Sequence, residues 1–486
     1  MSSTYIYSEY YKYRMTSRYL EIRPDNIPSD GVISFKNGFP VLSFTIAAQN
    51  GMLDPRSIRI CGDMRVFSDN ATPPTPVLAT DDPQVQMDNR LGVFALWDQL
   101  IVRNGRSKMI CESIRNYNKY MTSYLGVSSS RQDLMGHLES TCLTMPNRAA
   151  MATASVVNNA AGTQAKSFSC HLPSGFLSGG NMVNLMPGAL YSTLGEIGDV
   201  WYRPGNMVNL MPGAFGSLEI EIHLAPDSQV LFSSNGSLSA PTTNISAAHY
   251  RLSDVKLTCE VMDIPSDQMA QMSAQSQGSM EYNTITSLYT SINTSNAQLQ
   301  YSLALKNVQS AFVTFTPSTH INTMQQNGLA TTYPAKDTTG ALAKLTRLQF
   351  LRGGQKYPMD FDVTTNISTE TQTTVSDPQV VKQFLESIIP EYQLDRTSAS
   401  AMNINRDYTL TNTGAAGDYT HQPDGGPLFG VGVRYSQFNS GQDFSTQQFG
   451  LSIESDIGGD SPQSVYIFIK SKATLLWSQQ GVQVLQ

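Results

Sequence analysis

The sequence predicts an all-β protein built as two tandem antiparallel β-sandwiches, with one short helix in each half and long loops. Three observations lead there. Apolar residues alternate with polar ones in short runs along the chain, and stretches rich in Gly, Pro, Asn and Ser separate these runs. Only two segments show helical spacing. The two halves also share one layout: a strand, a basic glycine turn, a helix and a strand-rich close.

The strand signals begin at "GVISFKNGFPVLSFTIAA" (31–48), two apolar runs around an Asn-Gly and a Pro. "SLEIEIHL" (217–224) alternates, with Leu218, Ile220, Ile222 and Leu224 on one face and Glu219, Glu221 and His223 on the other. "YRLSDVKLTCEVMDIP" (250–265) has the same period. The second half continues with "YNTITSLYTSI", "LQYSLALKNVQSAFVTFTP", "LTRLQFLRGG", "FGVGVRYSQF", "FGLSIES" and "SVYIFIKSKATLLW". The spacing predicts one helix over 109–125, with Ile110, Ile114, Tyr117, Met121 and Leu125 on one face. It predicts a second over 377–390, with Asp377 as N-cap, Pro378 at the first helical position and Pro390 as a stop.

Each helix follows an apolar strand that ends in a basic glycine turn, "LIVRNG" (Leu100 to Gly105) and "QFLRGG" (Gln349 to Gly354). A Thr-rich insert delays the second helix. The stretch "IPSDQMAQMSAQSQGSMEY" (264–282) has linker composition, and Ser266-Asp267 can cap a short helix within it. The expected division is an N-terminal arm over 1–26, a first sandwich over 27–264, a linker over 265–281 and a second sandwich over 282–486.

Composition narrows the function. The chain has 486 residues, enough for more than one domain, and 40% are hydrophobic, enough to bury real cores. Only 15% are charged, a surface suited to packing against copies of the same chain. A net charge of −7 excludes electrostatic nucleic-acid binding for most of the chain, so no sequence-specific nucleic acid is expected as a partner. The N-terminus differs: "MSSTYIYSEYYKYRMTSRYLEIRPDN" mixes six tyrosines with Lys12, Arg14, Arg18 and Arg23. Such a segment can stack on single-stranded bases. The plainer reading is an extended arm lying on a neighbouring subunit.

The N-terminal stretch lacks the apolar core of a secretory signal, so an intracellular product is expected rather than a secreted one. No apolar run is long enough for a membrane-spanning helix. Cys61, Cys111, Cys142, Cys170 and Cys259 are odd in number and scattered, and read as reduced, buried small hydrophobes.

Motifs for chemistry are missing from the sequence. Six histidines form no HxH or HxxxH pair, and no Cys/His set has zinc spacing. Glu219, Glu221 and His223 form a row that can ligate a metal, but it reads more simply as the solvent side of a strand. "RGGQK" (352–356) and "GGDSPQS" (458–464) lack the strand-to-helix setting of a phosphate loop and read as turns. Asp360 and Asp362 alternate as outward acids on a strand. Trp97 lies in an apolar run and is expected in the core. No catalytic, cofactor-binding or metal-binding residue is assigned, no cofactor is expected, and the protein is expected not to be an enzyme.

Several stretches, taken in order, resemble the double jelly-roll major capsid proteins of double-stranded DNA viruses, most closely the virophage, polinton-like and adintovirus types. They are "HLPSGFLS" followed by "NLMPGAFGSLEIEIHL", then "YRLSDVKLTCEVMDIP", then "LTRLQFLRGGQKYPMDFDV". The resemblance implies two tandem antiparallel eight-stranded jelly rolls. It also implies a homotrimer with a pseudo-hexagonal outline that tiles an icosahedral shell. The implied partners are neighbouring capsomers, penton proteins and minor or cement capsid proteins, and the implied location is the virion, assembled inside the host cell. The N-terminal arm is then expected under the shell, tying capsomers together, with contact to an inner membrane or the genome as an open option. The alternatives are a jelly-roll penton or vertex protein, a glycan-binding spike and a sandwich glycosidase.

The decamer "GNMVNLMPGA" occurs at Gly180 to Ala189 and again at Gly205 to Ala214. Two abutting copies, 180–204 and 205–229, are a tandem duplication and too few for a solenoid. The second copy runs into "SLEIEIHL". In the first, Thr193, Gly195 and Asp199 stand where the strand needs Leu218, Ile220 and Leu224, so a surface loop in an outer tower is expected.

Overall fold

The computed structural model describes residues 17–49, 51–69, 74–76, 85–88, 91–128, 137–144, 166–177, 208–209, 215–233, 248–263, 278–324, 327–329, 345–357, 365–367, 373–376, 378–388, 408–409, 411–412, 419–420, 430–435, 441–455, 463–478 and 481–486. In the first half the main strands are β1 (Ser17–Ile22), β2 (Val41–Ile46), β3 (Gly51–Ser68), β4 (Trp97–Asn104), β5 (Ile110–Arg115), β6 (Lys166–His171), β7 (Leu218–Leu224) and β8 (Ala248–Asp263). They form two antiparallel sheets, ordered β1-β8-β3-β6 and β2-β7-β4-β5. The second half has β9 (Gly278–Ile292), β10 (Asn296–Tyr301), β11 (Val308–Pro317), β12 (Leu345–Arg352), β13 (Gln355–Lys356), β14 (Gly430–Arg434), β15 (Phe449–Ser455) and β16 (Gln463–Ser478). Its sheets are ordered β9-β16-β11-β14 and β10-β15-β12-β13, and β17 (Gly481–Leu485) pairs with the end of β16. Counted from the first strand of each half, the order is 1-8-3-6 and 2-7-4-5 both times. This is the jelly roll, twice.

Alternation builds the first roll. β7 buries Leu218, Ile220, Ile222 and Leu224 and leaves the residues between them half-buried. β2 does the same with Leu42, Phe44 and Ile46. β16 differs: Gln463 to Ser471 are all buried, because both faces of its sheet are covered. Val465, Ile467 and Ile469 fill the second roll, while Tyr466 and Phe468 turn to the opposite side, into a core shared with the first roll. "VYIFI" is therefore continuously apolar, as a strand buried on both faces must be.

The helix expected over 109–125 is instead a strand and a helix. Ile110–Arg115 pairs with β4, and helix α1 runs over Tyr117–Ser128. Positions four apart share a face in a regular strand as in a helix, so the spacing of Ile110 and Ile114 fits either pattern in the sequence, while a register shift in the ladder leaves Ile110 exposed and Ile114 buried. Asn116, at φ 52°, breaks the ladder. Its carbonyl accepts the first helical bond from Tyr120 N at 3.1 Å. A short helix α2 (His137–Cys142) follows. The second expected helix is α3 (Pro378–Ile388), which opens on Pro378; Asp377 and Pro390 lie outside the described residues. Both α1 and α3 sit between the fifth and sixth strands of their rolls.

Three further expectations shift. Ser17–Ile22, placed in the arm, is β1 of the first roll and pairs with β8 from Ile22–Leu257 to Ser17–Met262. Gly278 to Glu281, placed in the linker, already belong to β9 and pair with Trp477 to Thr474. Backbone pairing needs no apolar side chain there. Cys61 is half-buried on the outward side of β3, with its Sγ 3.2 Å from Ser169 Oγ, while the other four cysteines are buried.

The duplicated decamers lie in the connection from β6 to β7, outside the described residues except Val208–Asn209, which pairs with Leu53 and Met52. The tower-loop expectation for the first copy thus falls outside the described residues. β7 starts beside the β4–β5 turn, where Gly105 N donates to Ser217 O at 2.8 Å.

Candidate functional site

The place where the two rolls meet carries the most unusual chemistry in the fold. α1 lies there, buried on every side from Tyr117 to Leu125. A helix in that position needs partners for its polar side chains as well as its apolar ones. Tyr120 is the aromatic hub. Its ring centroid is 5.6 Å from Phe468 and 6.2 Å from Phe312 of the second roll, and 5.9 Å from Tyr124. Phe312 also meets Phe384 of α3 at 6.0 Å, edge to face. α3 covers β14 closely, since a Cβ on Gly430 would stand 2.2 Å from the Phe384 ring.

Polar groups cross the seam at two points. Lys119, wholly buried, donates to Thr316 Oγ1 of β11 at 2.7 Å and to the carbonyl of Gly328, and its ammonium stands 5.1 Å from the Tyr466 ring. Burial pushes its pKa down to about 7, against the pull of Asp88. Asp88 accepts from Asn327 Nδ2 at 2.7 Å. His320, close by, is pushed down to about 4 by burial, with the Lys119 charge adding to the effect.

The second crossing is Glu112 of β5. Its Oε1 accepts from Gly175 N at 3.1 Å and Ile285 N at 3.2 Å, and its Oε2 from Phe176 N at 3.0 Å. Ile285 lies on β9, so the first roll supplies an acceptor to the edge of the second roll's sheet. Burial raises the Glu112 pKa, and the backbone donors oppose the rise. Around it Tyr282 Oη donates to Cys111 O at 2.5 Å, Arg115 N donates to Ser287 Oγ at 2.8 Å, and Tyr282 meets Phe176 edge to face at 5.2 Å. Gly175 is required, because a Cβ there would lie 1.6 Å from Asn283 O. The seam is a buried, interlocked joint between the two rolls. Glu112 and Lys119 both face partners within the fold.

The residues weighed for chemistry from the sequence do other work. Glu221 accepts from Arg103 at 2.5 Å and stands 2.6 Å from His223 Nε2, and Glu219 pairs with Lys108. Among the described residues no three His, Cys, Asp or Glu side chains converge as metal ligands. The "RGGQK" stretch forms the turn from β12 to β13, with Gly353 at φ 57° and Gly354 at φ 82°. Trp97 is fully buried. Burial raises the thiols of Cys111 and Cys259 to about 12 and that of Cys142 to about 11, which makes them inert. Asp360 and Asp362 lie outside the described residues. Glu112 and Lys119 were missed in the sequence. Both lie in the segment that reads as one amphipathic helix, whose charges are expected on its solvent side.

No protein-family model matches the chain, and no curated protein sequence does. Solved structures do match over nearly the whole length. A chain of the PBCV-1 virus capsid aligns with a TM-score of 0.53 at 10% identity, covering 98% of this chain and 98% of its own. The Faustovirus major capsid protein aligns at 0.54 and 12% identity, covering 96% and 91%. A chain of the Sputnik virophage aligns at 0.51 and 10% identity, covering 97% and 88%. At these identities the likeness is one of fold: this chain has the double jelly-roll architecture found in major capsid proteins of DNA viruses.

Proposed function

We propose that this double jelly-roll chain is a major capsid protein, a structural protein of the virion rather than an enzyme. It forms a homotrimer whose six rolls make a pseudo-hexagonal block, and such blocks tile an icosahedral shell with penton and minor capsid proteins. The observation that carries this reading is the pairing of two rolls of identical strand order through a buried seam. A fixed block of two like units is what a larger ring needs.

The unequal treatment of the two rolls supports it further. The outward face of the β9-β16-β11-β14 sheet is covered by the first roll. The equivalent face of the first roll carries a half-buried row on β3: Arg59, Cys61, Asp63 and Arg65. If the seam recurs between chains, each second roll meets the first roll of the next copy. Such a head-to-tail contact closes when the rolls fill a turn, at three copies. The mass of the purified protein in solution tests this. A trimer supports the reading, a pentamer points to a vertex protein, and a monomer at micromolar concentration overturns it.

A further inference from the structure

The four sheets of the two rolls end in eight outermost strands, with β17 a further edge on the end of β16, and an edge strand left open invites another strand to pair. Among the described residues seven of these outermost strands are guarded by charge, cut short or in contact with another element. β1 carries Arg18 and Glu21, paired with Asp263 at 2.6 Å and Lys256 at 3.2 Å. β5 and β9 meet each other in the seam. β6 lies against α2, and α3 packs over a face of β14. β13 is two residues long. β2 is capped by the chain that follows β1: Asp25 N donates to Ser43 O at 2.7 Å, Asn26 Nδ2 to Val41 O at 2.6 Å, and Ser43 N to Asn26 Oδ1 at 3.2 Å.

β10 is the eighth. It holds in the second roll the place β2 holds in the first, and both are six residues long. Yet β2 alternates half-buried and buried, while β10 alternates exposed and half-buried. The cause is local. In the first roll the chain over 23–40 separates β1 from β2 and doubles back over the edge; in the second only 293–295 separate β9 from β10. That connection is too short to fold back over the edge as 23–40 does. β10 reads "NAQLQY", without charge, proline or register shift, so none of the usual guards against strand addition is present.

We propose that β10 is the docking edge for the N-terminal segment of a second copy of this chain, which adds to it as a strand. The inference rests on the self-assembling reading above. Residues 1–16 precede β1, and they contain "TYIYSEYYKY", rich in the aromatic and β-branched types that favour strands. Fully extended, a segment of that length reaches about 50 Å, at about 3.3 Å for each residue. Backbone pairing would supply the affinity, and alternate tyrosines would meet half-buried Leu299 and Tyr301. The donor is another copy because of where β1 lies. β1 and β2 share one side of the first roll, tied by Asp25 and Asn26, and β5, which meets the second roll, is the opposite edge of the β2 sheet. A chain's own segment therefore starts on the far side of its first roll from β10.

The test places a photo-crosslinking benzoylphenylalanine at Tyr7 in the full chain and maps the product in the purified multimer. The expected product joins two chains, with the peptide containing 296–301 attached to the N-terminal peptide. Attachment within one chain, or to another peptide, overturns the proposal and leaves the capsid reading standing. Absence of any multimer overturns both. A chain lacking residues 2–14 gives a second readout: amides of 296–301 should exchange with solvent at least tenfold faster than in the full-chain multimer. Equal exchange contradicts the docking.

Discussion

Two charged side chains hold the seam, and each yields an expected outcome. Removing the Glu112 carboxylate leaves the buried N–H groups of Gly175, Phe176 and Ile285 without their acceptor. Each orphaned donor costs about 1–3 kcal/mol, so Glu112→Ala should lower unfolding stability by at least about 3 kcal/mol in a denaturant titration. Glu112→Gln, which keeps one acceptor oxygen, should lose less. Lys119 gives a pH signature. Its proton is held below about pH 7 in the folded chain but below 10.5 when unfolded, so the unfolded chain binds more protons between these values. Stability should therefore rise with pH across that window by up to about 1.4 kcal/mol per unit, and stay level below it. Lys119→Met should remove this slope, as measured by stability differences from pH 7 to 10. Neither role was legible in the sequence. A charge in an amphipathic segment reads the same whether it turns to solvent or crosses to another domain, and the crossing partners, Ile285 and Thr316, are far along the chain.

At the level of elements, alternation was a reliable guide wherever one face is wet. β7 was legible down to each buried residue, because its sheet has one solvent side. The 109–125 segment was not, because α1 is buried all round and the strand before it carries Ile110 and Ile114 at a helix-like spacing although only Ile114 is buried. α3 was legible because it keeps one apolar stripe and opens on a proline. The exposed edge of β10 leaves no mark in local pattern, since it follows from a loop that the second roll lacks. The contact between elements can be tested at Gly175. A Cβ there collides with the carbonyl of Asn283, so Gly175→Val must push β9 away from β5. We expect a loss of at least about 2 kcal/mol. Amides at 282–287 should lose protection in hydrogen exchange while β7 keeps its own. Uniform loss across both rolls would show that the seam is not a separate joint.

For the whole molecule, the repeat of layout was the strongest signal in the sequence, and it survives in the structure as two rolls with one strand order. The glycine turns at Gly105 and Gly354 each follow the fourth strand of a roll, and both helices follow the fifth. What the layout did not give was the angle and depth at which the rolls join, because that depends on side chains from both halves. The joint holds the two rolls as a pair, and the proposed trimer repeats it between chains. Averaged electron-microscope projections of the purified protein test that claim most directly. The account predicts particles of three chains with a six-lobed, hexagonal outline, one lobe for each roll. A two-lobed single chain, or a five-lobed ring, would contradict it.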